Sequence, residues 1–142
     1  MVQLIVGRKG KGKTKCLLDK VNTEVKDARG NVCYLDKSTQ HMFELNNRIR
    51  LINVTDYRIE NTDQFLGFVA GIISQDHDLE KMFFDSFLDI SHLKNADMDA
   101  VVGAVKKLQA YSDSNKVTFV LSVSADEADL PEELKSLIIE SL

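Results

Sequence analysis

The stretch Gly7-Arg8-Lys9-Gly10-Lys11-Gly12-Lys13-Thr14 constrains this chain more than any other, because it satisfies the pattern GxxxxGK[ST] at every fixed position. Just before it, Val2 to Val6 is an apolar run with β-branched members, which reads as a buried parallel strand entering a tight turn. Just after it, Leu17, Leu18, Val21, Val25 and Ala28 recur at helical spacing, and Gly30 stands where a left-handed C-terminal cap is wanted. Glycines in such a loop let successive backbone N–H groups turn inward around a chain of phosphates. The first helical turn adds the positive end of its dipole. Lys13 is spaced to reach the outer phosphates, and the Thr14 hydroxyl to complete the coordination of a hydrated magnesium ion. Gly7 to Lys15 therefore form the candidate binding set. Lys9 and Lys11 contribute through their backbone N–H groups while their side chains read as solvated, and Arg8 and Lys15 add positive charge around the loop.

The rest of the chain continues the alternation of strand and helix. Asn31 to Asp36 (NVCYLD) is a second strand ending in an acid. Met42, Phe43 and Leu45, then Asn46-Asn47, then Arg48 to Val54 read as a β-hairpin over residues 41–54, with the Asn pair at the turn. A helix is expected from Thr62 to Gln75 behind an Asn61 cap, with Gly67 and Gly71 allowing close packing. Leu79 to Phe84 gives a third core strand ending in Asp85, and Asp97 to Tyr111 another helix. Lys116 to Val123 is the fourth strand, and a last helix runs from Pro131 to Ser141, with Leu134, Leu137 and Ile138 as its apolar stripe. This order predicts a three-layer α/β/α sandwich with a mainly parallel sheet, in one domain spanning residues 1–142.

Composition narrows the class. Hydrophobic residues make up 44% and charged residues 28% of the chain, which excludes a disordered or membrane-embedded protein and suggests a cytoplasmic one. A net charge of −4 argues against a general nucleic-acid scaffold. Cys16 and Cys33 are too few for a disulfide framework and read as buried thiols.

A strand ending in an acid beside a phosphate loop can hold the hydrated magnesium through water, and Asp85 is the candidate, with Asp89 one turn on as a weaker competitor. The segments VGRKGKGKTKCLLDKV, NVCYLDKS and KMFFDSF, taken in that order, resemble the P-loop nucleoside triphosphatases, closest to their RecA-like branch. The compact size and the expected hairpin are also similar to small bacterial ATP-binding proteins loosely labelled as twitching-motility ATPases. The resemblance implies ATP and Mg2+ as cofactors and a magnesium-dependent ATPase, slow alone or activated by a protein partner or by other copies of itself. ATP follows from the family, since no guanine-specific NKxD run is present.

The chain departs from that family where the attacking water is activated. The glutamate the family carries after its second strand is replaced by Asp36-Lys37-Ser38, leaving Asp36 and Glu44 as candidates for the catalytic base. Two alternatives to hydrolysis therefore stand: a non-hydrolysing ATP sensor or assembly module, and a small-molecule kinase. Ser122 and Ser124 stand where a polar sensor of the terminal phosphate would be, or where a plain strand-end turn would be. Arg48 and Arg50 suit either an arginine finger or an exposed strand face. His41, His77 and His92 have no partner at metal-ligand spacing, and no catalytic or metal role is expected of them.

Overall fold

Runs rich in Val, Ile, Leu and Phe have backbone donors and acceptors on both edges and apolar side chains on both faces, and they are satisfied only when flanked by strands and covered by helices. In the computed structural model, which describes residues 1–142, four such runs and two partly exposed edge strands form one sheet in which every pairing is parallel. The elements in chain order are β1 (Val2–Gly7), α1 (Lys13–Glu24), β2 (Asn31–Asp36), β3 (Ile49–Asn53), α2 (Thr62–Ser74), β4 (Leu79–Phe84), α3 (Phe87–Ile90), α4 (Met98–Asn115), β5 (Thr118–Ser124), α5 (Glu132–Lys135) and β6 (Ile138–Ser141). Across the sheet the strand order is β3-β2-β4-β5-β1-β6. The chain leaves β1 toward β2 and leaves neighbouring β5 toward β6, so connections diverge beside the carboxyl end of β1. Parallel sheets place ligands at such a crevice.

Alternation along the strands builds two cores. Leu4, Val6, Cys33, Leu35, Met82, Phe84, Phe119 and Leu121 face α2, α3, α4 and α5 in a cluster of 27 buried residues. Ile5, Val32, Tyr34, Phe83 and Val120 face α1 in a cluster of 10. Asn61 caps α2, its side chain accepting from Gln64 N at 2.9 Å, and Asp97 caps α4 in the same way through Ala100 N. No helix is long and apolar enough to cross a membrane.

Several expectations are corrected. Residues 41–54 are not a hairpin: Met42–Glu44 is a turn of 3-10 helix, and β3 runs parallel to β2 in register from Val32↔Ile49 to Asp36↔Asn53. The would-be first limb has no strand to pair with. It is held instead by α1, where Asn22 donates to the Glu44 carbonyl at 2.7 Å and accepts from Asn46 N at 2.8 Å, while Asn46 Oδ1 turns the chain by accepting from Arg48 N. The terminal helix stops at Lys135 and Ile138–Ser141 becomes β6, because β1 would otherwise carry an unpaired edge. Leu4 N bonds to Leu137 O at 3.0 Å and Leu142 N to Val6 O at 2.9 Å, non-local pairings that outrank the local helical spacing.

Gly30 is not a left-handed cap. Helix α1 ends before it, and a Cβ there would lie 2.0 Å from the Asp78 carbonyl oxygen, so this glycine admits a neighbouring backbone. Gly67 and Gly71 have no atom within 4 Å of where a Cβ would stand and confer no close packing. Of the two cysteines only Cys33 is buried; Cys16 is partly exposed on α1.

Candidate functional site

The loop between β1 and α1 takes its shape from two glycines in the left-handed region, Gly10 at φ 85° and Gly12 at φ 93°. Gly12 is also the N-cap residue of α1, so the positive end of the helix dipole points into the loop. Lys13, the first helical residue, is buried, and its ammonium donates to the Arg8 carbonyl at 3.0 Å. Burial lowers the Lys13 pKa, and the nearby Asp85 carboxylate offsets part of that effect.

Beyond the loop lies an open cavity of about 790 Å³ at the carboxyl ends of β2, β4 and β5. It is lined almost wholly by polar groups, among them Lys9, Gly10, Gly12, Lys13 and Thr14 of the loop and Asp36, Asp85, Ser122 and Ser124 of the strand ends. These side chains project on the α1 side because each strand continues its alternation to the end: Tyr34 then Asp36, Phe83 then Asp85, Val120 then Ser122.

Asp85 is the hub. It is 2% exposed, and three hydroxyls converge on it: Thr14 Oγ1 donates to Oδ1 at 3.1 Å, Ser122 Oγ to Oδ1 at 3.3 Å, and Tyr34 OH to Oδ2 at 2.8 Å. Its own N–H bonds to Leu35 O at 2.8 Å, which fixes the side chain relative to β2. Burial, then Asp85 itself, pushes the Tyr34 phenol far up, so the hydroxyl stays a donor. Ser86 follows at φ 52°, donating its N–H to Ser122 Oγ at 2.9 Å and redirecting the chain into α3. A non-glycine residue there costs on the order of 1–2 kcal/mol.

Asp36 sits beside this hub and is 3% exposed. Its Oδ1 accepts from Lys37 N at 2.7 Å, but its Oδ2 is buried without a hydrogen-bond partner. Burial, followed by the charge of Asp85, raises its pKa above the ordinary carboxylate value. His41 lies within the same group: one ligand atom each from Asp36, His41 and Asp85 lie within 4.8 Å of one another. His41 Nδ1 pairs with the Glu44 carboxylate.

The structure thus gathers Lys13, Thr14, Asp36 and Asp85 around one cavity and leaves other sequence candidates outside it. Arg8 pairs with Asp126 at 2.9 Å, and Lys15 is exposed and does not line the cavity. Glu44 stands behind His41, also off the lining. Asp89 lines the rim, where Lys37 bonds to it at 3.1 Å. Arg48 donates to the Val25 and Ala28 carbonyls after α1, and Arg50 pairs with Asp76 at 3.2 Å. Both arginines are therefore held within the chain at the amino edge of the sheet, opposite the loop. His41, of which the sequence leads one to expect no role, joins the acid pair. Its only signal in the sequence is its place five residues after Asp36 in an irregular crossover, a spacing that belongs to no regular element. A scan of protein-family models and a search of curated proteins each return no match to this chain.

Proposed function

We propose that the chain is a magnesium-dependent ATPase of the P-loop, RecA-like type, slow alone and accelerated by a protein partner or by its own copies. The observation that carries this reading is the 3.1 Å contact of Thr14 Oγ1 with Asp85 Oδ1 across loop and strand end, directly beside Lys13. These are hard oxygen donors, and they fit a magnesium ion held directly by the Thr14 hydroxyl and through water by Asp85. Such an ion supplies charge neutralisation at the phosphate oxygens.

The chain's own groups do the rest. The backbone N–H groups of the loop and the first turn of α1 receive the phosphates. Lys13 exchanges the Arg8 carbonyl for the outer phosphates, a trade that compensates its burial with a stronger charged partner. Asp36, the one carboxylate besides Asp85 buried at the cavity, has an Oδ2 free to accept from a water admitted to the site, and its raised pKa suits a general base better than an ordinary aspartate would. Asp36 thus takes precedence over Glu44 as the base.

A second reading has its own support. Asp36 is shorter in reach than a glutamate and is held at Oδ1 by Lys37 N, which favours a nucleotide sensor that does not turn over. Phosphate release from ATP and magnesium, read beside a thermal-protection titration, separates the two. Turnover that disappears in both Lys13→Ala and Asp85→Ala supports the ATPase; protection without release supports the sensor; absence of protection by ATP or GTP removes any nucleotide role.

A further inference from the structure

Two buried acids side by side are costly unless a cation joins them, and neither is in a direct ion pair: Lys13 acts on Asp85 through its charge while its ammonium bonds to the Arg8 carbonyl, and Lys37 acts on Asp36 through its charge while its ammonium pairs with Asp89. Asp36 Oδ2 is the decisive atom: it is buried, belongs to a residue that lines the cavity and has no donor. A buried carboxylate oxygen without a donor is rare in a folded protein, and a bound cation satisfies such an atom directly. The third member of the group, His41, adds a nitrogen, and magnesium has little use for nitrogen. With His41 Nδ1 engaged by Glu44, Nε2 is the ring atom left to ligate, and the carboxylate behind the ring is the arrangement that orients metal-binding histidines.

We propose that Asp36, His41 and Asp85 form a binding site for a first-row transition-metal dication, with Glu44 orienting the His41 ring. Two carboxylates and one imidazole suit Zn2+, Mn2+ or Co2+, leaving a fourth position for water. Ligands about 2.1 Å from a common ion stand roughly 3.4 Å apart, so a group spread over 4.8 Å must close by up to about 1.4 Å. His41 can supply that movement, since it lies on the irregular crossover between β2 and β3 and not on a strand. Because the ion would take both Asp36 Oδ2 and Asp85, it would occupy the carboxylates that hydrolysis needs and act as a brake on the site. The metal site belongs to the nucleotide-free protein and does not depend on the ATPase reading; only its action as a brake rests on that reading.

The test is a Co2+ titration of the full chain without nucleotide, followed by the visible ligand-field absorption of the bound ion. One equivalent should bind, displaceable by Zn2+ but not by equimolar Mg2+. His41→Ala and Asp36→Asn should weaken binding at least about tenfold and Glu44→Gln by about tenfold, while His77→Ala, at an exposed position away from the cavity, should not change it. A second measurement uses the unaltered protein: substoichiometric Mn2+ should broaden the imidazole resonances of His41 far more than those of His77, which lies at the opposite end of β4 from Asp85. Absence of a band, or a band and broadening pattern indifferent to His41, overturns the proposal. Co2+ binding with no protection by ATP sinks the nucleotide reading alone, and protection without Co2+ binding sinks this one alone.

Discussion

The two faces of the sheet differ in what they are built to do. On the face covered by α2 to α5, Phe65, Phe84, Phe87 and Phe119 meet edge to face with ring centroids 5.6–6.2 Å apart, inside the larger core. On the other face α1 is the only helix in the smaller core, and toward the carboxyl edge apolar packing gives way to Asp36, Asp85 and Ser122. The same strands supply both faces, so Leu35 and Asp36, or Phe84 and Asp85, are consecutive residues with opposite duties. Stability is concentrated on one side, which lets the other side keep buried charge and an unpartnered oxygen.

Matched deletions should expose that division. Leu121→Ala, inside the larger core, should lower the unfolding free energy by about 4 kcal/mol, because helices on that side hold the cavity open. Leu17→Ala removes the same atoms from a side chain equally buried, yet should lower it by only about 2–3 kcal/mol, since a lone helix can settle toward the sheet. Equal losses in urea titrations would erase the distinction. Next in size, Tyr34→Phe should destabilise by about 1.5–2 kcal/mol by taking a donor from buried Asp85, read from the same urea midpoints.

Asp36→Asn should act in the opposite direction, raising stability by about 1 kcal/mol, or roughly 3 °C in Tm, and under the proposed ATPase reading it should also impair turnover. A drop in Tm would mean that the carboxylate is structural. The smallest effect falls where α1 reaches back to the sheet. Glu24 on α1 is engaged by Lys20 at 2.7 Å and by Lys81 of β4; burial opposes its charge, but the two ammonium groups more than compensate and hold its pKa below the ordinary value. A depressed carboxyl pKa stabilises the fold above the unfolded-state value and ceases to do so as pH falls through the folded-state value. Glu24→Gln should therefore lose about 0.5 kcal/mol at neutral pH and match the parent protein in acid, as followed by urea midpoints across pH.

What can be read from the sequence follows the same division. Gly7 to Thr14 and Asp85 are legible because residue identity alone encodes a turn, a charge and a strand end. Tyr34 is not, since in NVCYLD it is one more large residue on an alternating strand, and only the fold turns its hydroxyl toward Asp85. Nor is His41, whose place depends on an irregular crossover and on Asn22 holding it to α1. β6 reads as helix because Leu134, Leu137 and Ile138 fit a helical stripe, while the need to complete β1 arises from residues more than 130 positions earlier.

That last pairing also sets a timetable. β1 is flanked only by β5 and β6, so the strand that carries the glycine-rich loop has no neighbour until residues 118–141 have been synthesised. At ordinary rates of translation this interval is on the order of ten seconds. Throughout it Val2 to Val6 is a β-prone segment without a sheet, exposed to wrong pairing, and the cavity beside the loop exists only on the finished protein.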